Sequence, residues 1–237
     1  MDIESLSKRF KEDGYIYIEN FFDGNLMDSY HQKILSHFKK DTEYKHDMTF
    51  IEKSDTDVIP WFPQLEGETI FNIVEDDQRL QKITEKILGS GWKSLYSMVM
   101  FSNKSSNGQA WHQDCNPENQ EIYNLNRLVY TMDINKLTGG ELVLIPGSHK
   151  KGIIPSDSFG NEIGHEVIIE PSKGSLAILH GHLWHKVLPI HDNIRVSTNY
   201  RCIPSGTPDN ITDICVYRNM MYRFSDEKIL KIGRAHV

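Results

Sequence analysis

The sequence is poor in cysteine, in basic runs and in long apolar stretches. Only three cysteines, Cys115, Cys202 and Cys215, occur in 237 residues. An odd count without zinc-like spacing argues against a disulfide scaffold and points to a reducing, cytoplasmic compartment. No apolar run approaches the ~18–20 residues needed to span a bilayer. The first residues are charged and amphipathic, without the apolar centre of a secretory signal. No membrane partner is expected. Asp and Glu number 33 against 26 Lys and Arg, a net charge of −7, and no long basic run appears. Nucleic acid is therefore not expected as a partner either. An anionic small molecule stays compatible with this balance if a local basic pocket receives it.

Repeats, low-complexity segments and an interdomain linker are also lacking. The length suits one domain with a substantial core, expected over residues 1–231. The last six residues, Ile232 to Val237, read as the translation of a sequencing adapter. Residues 232–237, with His236 among them, are therefore expected to be a non-native tail.

What is present changes character along the chain. Leu6 and Phe10 followed by Gly14 suggest a short helix with a glycine stop. Tyr15 to Ile18 reads as a strand. Leu26, Tyr30, Ile34 and Phe38 recur every four residues, an amphipathic helix pattern. Asp76 or Asp77 can cap another helix carrying Leu80, Ile83 and Ile87, which Gly89 ends. From about Lys93 the pattern is β-rich: 94–102, 126–133, 141–145, 166–170, 175–179 and 195–203. Turn signals such as Asn107-Gly108, Gly139-Gly140 and Pro146-Gly147 separate these runs. The fold class expected is α+β, mainly β, with a jelly-roll core braced by N-terminal helices.

Chemistry concentrates in Trp111-His112-Gln113-Asp114. On a strand, residues i and i+2 face the same side, so His112 and Asp114 can converge on one ion. A second imidazole would complete a two-histidine, one-carboxylate triad of the kind non-heme iron uses, with open positions left over. His185 and His182 both follow the apolar run 175–179 and compete for the third place. Arg195 lies ten residues after His185. Its fork can bind a carboxylate bidentately, and Ser197 can add a hydrogen bond. Arg195 could equally pair with a surface carboxylate such as Asp192, and Arg201 is a second candidate for the carboxylate-binding role.

These segments together resemble the phytanoyl-CoA dioxygenase family. The likeness runs from Asp13-Gly14-Tyr15 to about Pro204. It includes WHQD (residues 111–114), GGELVLIPGSHK (139–150), GSLAILHGHLWH (174–185) and NIRVSTNYR (193–201). The resemblance implies a double-stranded β-helix and chemistry dependent on iron(II), 2-oxoglutarate and dioxygen. It implies hydroxylation of a small-molecule substrate, with release of succinate and carbon dioxide. It places the metal ligands at His112, Asp114 and His185, favours His185 over His182, and assigns Arg195 and Ser197 to 2-oxoglutarate. Gln113 and Tyr130 match positions that can touch the co-substrate. One departure stands out: the asparagine frequent after the third ligand is absent, and Pro189-Ile190-His191 occupies that stretch.

In related halogenases a small residue replaces the carboxylate ligand, so Asp114 favours hydroxylation, with desaturation or ring formation still open. Two other classes are a non-catalytic jelly-roll module that retains a metal and a cupin-type metalloenzyme. The cupin reading needs a compact extra cluster of histidine or glutamate ligands around His112, which the sequence lacks. Substrate specificity is expected from residues 46–68, 153–165 and 217–224. Nothing in the residues names the substrate or the oligomeric state.

Overall fold

The computed structural model describes residues 2–39, 56–155, 163–191 and 193–224, and the backbone of Ile229–Arg234. Each long helix starts where an aspartate can accept from free backbone N–H groups. Asp2 caps α1 (Ile3–Asp13), Asp23 caps α2 (Gly24–Phe38) and Asp77 caps the helix Gln78–Leu88. That last helix is α4; a single turn, α3 (Asn72–Glu75), precedes it. Gly14 ends α1 at φ 79°, a left-handed conformation that glycine tolerates, and its N–H returns to the Phe10 carbonyl. On α2 the buried stripe is Met27, Tyr30, Ile34 and Phe38. Leu26, expected in that stripe, is only half-buried.

Behind the helices lie two antiparallel sheets. The first has the order β1 (Tyr15–Ile18), β8 (Leu176–His180), β5 (Leu125–Tyr130), β10 (Arg195–Ile203), β3 (Lys93–Ser102) and β2 (Ile59–Trp61). The second has the order β13 (Ile229–Arg234), β12 (Met220–Phe224), β11 (Ile214–Tyr217), β4 (Gln109–Gln113), β9 (His185–Val187), β6 (Leu142–Leu144) and β7 (Val167–Ile169). This is the expected mainly β jelly roll with helices at its front.

The first sheet is covered on both faces, which is why β5, β8 and β10 are buried along their whole length. Val99, Leu125, Val129, Leu176, Ile178, Val196 and Tyr200 pack with Phe10, Met27, Tyr30 and Ile34 from the helices. Alternate residues such as Leu128, Ala177 and Leu179 face the second sheet. Along β10 this alternation sends Val196 and Tyr200 toward the helices, while Arg195, Asn199 and Arg201 line the space between the sheets.

The expected strands are present, with 195–203 unchanged, while 126–133 stops at Tyr130 and 141–145 contracts to Leu142–Leu144. Residues 46–55 and 156–162, parts of two segments expected to set specificity, lie outside the described residues. The β13 ladder pairs Gly233 and Arg234 with β12. Backbone pairing of this kind is indifferent to sequence and leaves the expectation of a non-native tail where it stood. No helix among the described residues is long and apolar enough to cross a membrane.

Candidate metal centre

The centre forms where β4 and β9 run side by side. His112 and His185 are partners in their register, and their ring centroids lie 4.1 Å apart. Each Nδ1 donates to a carbonyl two residues back, Ala110 for His112 and Leu183 for His185, both at 2.8 Å. Each ring is thereby oriented with Nε2 as its free donor atom. Burial, reinforced by the neighbouring His185, pushes His112 down to about 3, so its imidazole is neutral. Tyr217 stacks on the His112 ring at 4.6 Å and 5°.

Asp114 follows β4 directly and is held by its own N–H, which donates to the Gly181 carbonyl at 2.8 Å. Its Oδ2 lies 3.3 Å from His185 Nε2, and its Oδ1 lies 4.0 Å from His112 Nε2. One atom from each of His112, Asp114 and His185 falls within 4.8 Å of the others. It is the one such potential metal-holding group of three or more among the described residues. Burial works against the Asp114 carboxylate, but Arg201, His185 and His112 outweigh it and hold the group below the usual carboxylate range. Asn126 Nδ2 donates to Oδ2 at 2.7 Å and Arg201 Nη2 donates to Oδ1 at 3.1 Å. Two imidazole nitrogens and one carboxylate, preoriented and nearly dry, suit a divalent transition metal with open positions.

The triad opens on a cavity of about 940 Å3 between the sheets. Arg195 lines it, buried to 2% exposure. Its Nε donates to the Gly140 carbonyl at 2.8 Å and its Nη1 to Ser197 Oγ at 3.3 Å. Its guanidinium carbon lies 5.7 Å from the Tyr130 ring centroid, and Tyr130 pairs with Ser197 in the β5–β10 register. Met98, Met100, Leu128 and Phe62 supply apolar wall. From the segment expected to set specificity, Thr56, Val58, Pro60 and Leu65 line the cavity, as do Tyr217 and Phe224 from another.

One sequence expectation lands elsewhere. Gln113 does not join the centre. As the residue between two inward-facing neighbours it points the other way, donating to the Gly152 and His182 carbonyls and accepting from the Ile154 N–H. His182, the rival third ligand, packs with His180 at 4.9 Å and with Tyr123, outside the cavity lining. Arg201, the reserve for the carboxylate-binding role, contacts Asp114. Sequence reasoning missed Asn126 and the Arg201–Asp114 contact. The inward phase of β10 could have flagged Arg201, but its partner is 87 residues away.

A family model described as phytanoyl-CoA dioxygenase (PhyH) matches residues 10–191. The chain belongs to the phytanoyl-CoA dioxygenase family. Within this family member, all three triad residues fall inside the matched stretch and Arg195 lies just beyond it. No curated protein matches the sequence. Solved structures do. One is the non-heme alpha-ketoglutarate-dependent epimerase SnoN from nogalamycin biosynthesis, with 18% identity and a TM-score of 0.70 over 91% of this chain and 83% of that one. HygX from Streptomyces hygroscopicus, crystallised with nickel and 2-oxoglutarate, has 14% identity and a TM-score of 0.68 over 85% and 87%. The carbocyclase SnoK, also from nogalamycin biosynthesis, has 13% identity and a TM-score of 0.67 over 91% and 86%. At these identities the likeness is one of fold.

Proposed function

We propose that the protein is an iron(II)- and 2-oxoglutarate-dependent dioxygenase that hydroxylates a small molecule and releases succinate and carbon dioxide. The observation that carries this reading is the tripod of His112, Asp114 and His185, its Nε2 atoms free, on the wall of a cavity that Arg195 also lines. Membership of the phytanoyl-CoA dioxygenase family supports it, as do neighbours of the same fold crystallised with iron or nickel and 2-oxoglutarate.

His112, Asp114 and His185 would hold the iron. When bound, the metal supplies dioxygen activation coupled to oxidative decarboxylation of 2-oxoglutarate. Arg195 would take the far carboxylate of the co-substrate, with Ser197 fixing the guanidinium and Tyr130 packing beneath it. Gln113 has no part in this. The apolar cavity wall would position the substrate and keep water out. Three buried free thiols, Cys115, Cys202 and Cys215, fit a reducing cytoplasm.

Hydroxylation itself is the finest part of the proposal, since neighbours of this fold include an epimerase and a carbocyclase. The test is anaerobic loading with iron(II) and 2-oxoglutarate, then exposure to dioxygen with a metabolite extract. Substrate-stimulated, oxygen-dependent succinate and a product heavier by one oxygen atom are expected. Asp114→Ala and His185→Ala should lose both metal binding and succinate formation, while His182→Ala keeps them. Iron binding without 2-oxoglutarate turnover under any substrate would leave a non-catalytic jelly-roll module as the better description.

A further inference from the structure

Arg201 braces the metal ligand Asp114, but that contact leaves most of its donor hydrogens unused. It lies on the inward face of β10 and lines the cavity, with a relative exposure of 7%. Of its five donor hydrogens, the Nη2 group serves Asp114 Oδ1 at 3.1 Å. Its buried Nε has no hydrogen-bond partner. Tyr96 lies under the guanidinium, whose central carbon is 5.8 Å from the ring centroid. Two residues back, the buried Asn199 Oδ1 is likewise without a partner. An arginine set over a ring, with donor hydrogens beyond those that Asp114 engages, can receive an anion.

The charges of the cavity indicate how many negative charges it lacks. Among its described lining residues the charged side chains are Asp114, Arg195, Arg201 and Asp213, and Asp213 is exposed to solvent at the rim, where it is screened. His112 is neutral. On the proposed function, iron(II) adds two positive charges and 2-oxoglutarate two negative ones. Arg201 is paired with Asp114, and Arg195 would face the co-substrate, but over the described lining groups the sum for the loaded cavity is one positive charge in excess, a costly state where it is buried.

We infer that Arg201 anchors a carboxylate of the substrate, so that the substrate class is an apolar small molecule bearing one carboxylate near the carbon to be oxidised. The inference rests on the 2-oxoglutarate reading of the site. A monocarboxylate neutralises the excess, whereas a neutral substrate leaves it and a phosphate dianion overshoots it. Tyr96, Met98, Met100, Leu128 and Phe62 would receive the apolar body. The overall charge of −7 does not oppose this, because the positive charge is local.

The experiment uses protein loaded with nickel(II), which does not turn over. Calorimetry first measures 2-oxoglutarate binding, then binding of matched pairs to that complex: octanoate and octanamide, cinnamate and cinnamamide. The wild type should bind 2-oxoglutarate and then prefer each acid over its amide by at least ~10-fold, about 1.4 kcal/mol. In Arg201→Gln, first brought to full nickel and 2-oxoglutarate occupancy, the preference should fall below threefold. Arg201→Lys, which keeps the charge, should retain part of it. Failure of the wild type to bind 2-oxoglutarate overturns the oxygenase reading, and this inference with it. Normal 2-oxoglutarate binding with no acid bound, with amides bound as well as acids, or with the preference intact in Arg201→Gln overturns this inference alone. So does loss of 2-oxoglutarate binding in Arg201→Gln, which would make Arg201 a co-substrate residue.

Discussion

At position 140 a side chain of any size collides with the arm that would hold the co-substrate. Gly140 sits at φ +83°, and a Cβ placed there would lie 2.6 Å from Arg195 Cδ. Its carbonyl also accepts from Arg195 Nε. One residue thus supplies both the space and the acceptor that orient the guanidinium. Gly140→Ala should therefore displace Arg195 and strain the backbone by roughly 1 kcal/mol. In turnover assays the KM for 2-oxoglutarate should rise by about tenfold or more, the worth of roughly 1.4 kcal/mol of lost binding, while metal affinity stays close to wild type. An unchanged KM would remove Arg195 from the co-substrate role. From sequence, Gly139-Gly140 signals no more than a tight turn, because what the glycine touches is 55 residues further along. Placement of the tripod was more legible: His112 and Asp114 follow from period-two alternation. The same alternation sends Gln113 to the opposite face, against the resemblance-based assignment to the co-substrate.

Between elements, one contact that ties the helical front to the sheet is ionic. Arg127 on β5 is fully buried, yet its side chain points to the helix side. Nη2 meets both oxygens of Glu75 on α3 at 2.7 and 2.8 Å, and Nε donates to the Tyr200 carbonyl of β10 at 2.8 Å. Nη1 reaches Thr84 on α4 at 3.3 Å. Breaking such a pair leaves one charge buried alone, which costs about 3–5 kcal/mol, whereas replacing both partners with apolar groups costs far less. Arg127→Met should lower unfolding free energy in urea by about that amount, and Arg127→Met with Glu75→Leu should recover much of it. If the double variant is no more stable than the single one, the penalty is lost packing rather than an orphaned charge. Strand existence was readable from composition and turn residues over 94–102, 175–179 and 195–203. The three-residue strands β2 and β9 were not, because so short a run shows no period. Nor was it readable that β5 and β10 pair, since pairing is decided by which faces the helices and the second sheet cover.

At the scale of the molecule, two groups of packed histidines stand out among the described residues, and one of them, His112 with His185, faces the cavity. The other joins His149, next to Gly14, to His180 at the end of β8 and His182 beyond it, with ring centroids 4.9 Å apart in each step. Tyr123 stacks on His180 at 4.1 Å. All three imidazoles are buried. Burial pushes His149 and His182 each down to about 4, and drives His180 well below its usual range, with the neighbouring His182 and His149 adding to the effect. The folded chain thus keeps these rings neutral at pH values where the unfolded chain, titrating near ~6.5, takes up protons. Their neutral state costs nothing above that value. As pH falls from about 6.5 toward 4, the unfolded state binds more protons and stability drops. Each tenfold difference in proton affinity between the two states is worth ~1.4 kcal/mol. Allowing for relaxation, His149 and His182 together should remove on the order of 3 kcal/mol between about pH 7.5 and 4.5. The metal-free protein isolates this effect from ion binding, but His112 titrates with the same sign there. A comparison of variants separates them: in urea unfolding, His182→Leu should show a shallower loss of stability with falling pH than wild type, and His182→Leu with His149→Phe a shallower one still. Identical pH slopes in all three proteins would assign the acid sensitivity to other groups, His112 and His180 among them.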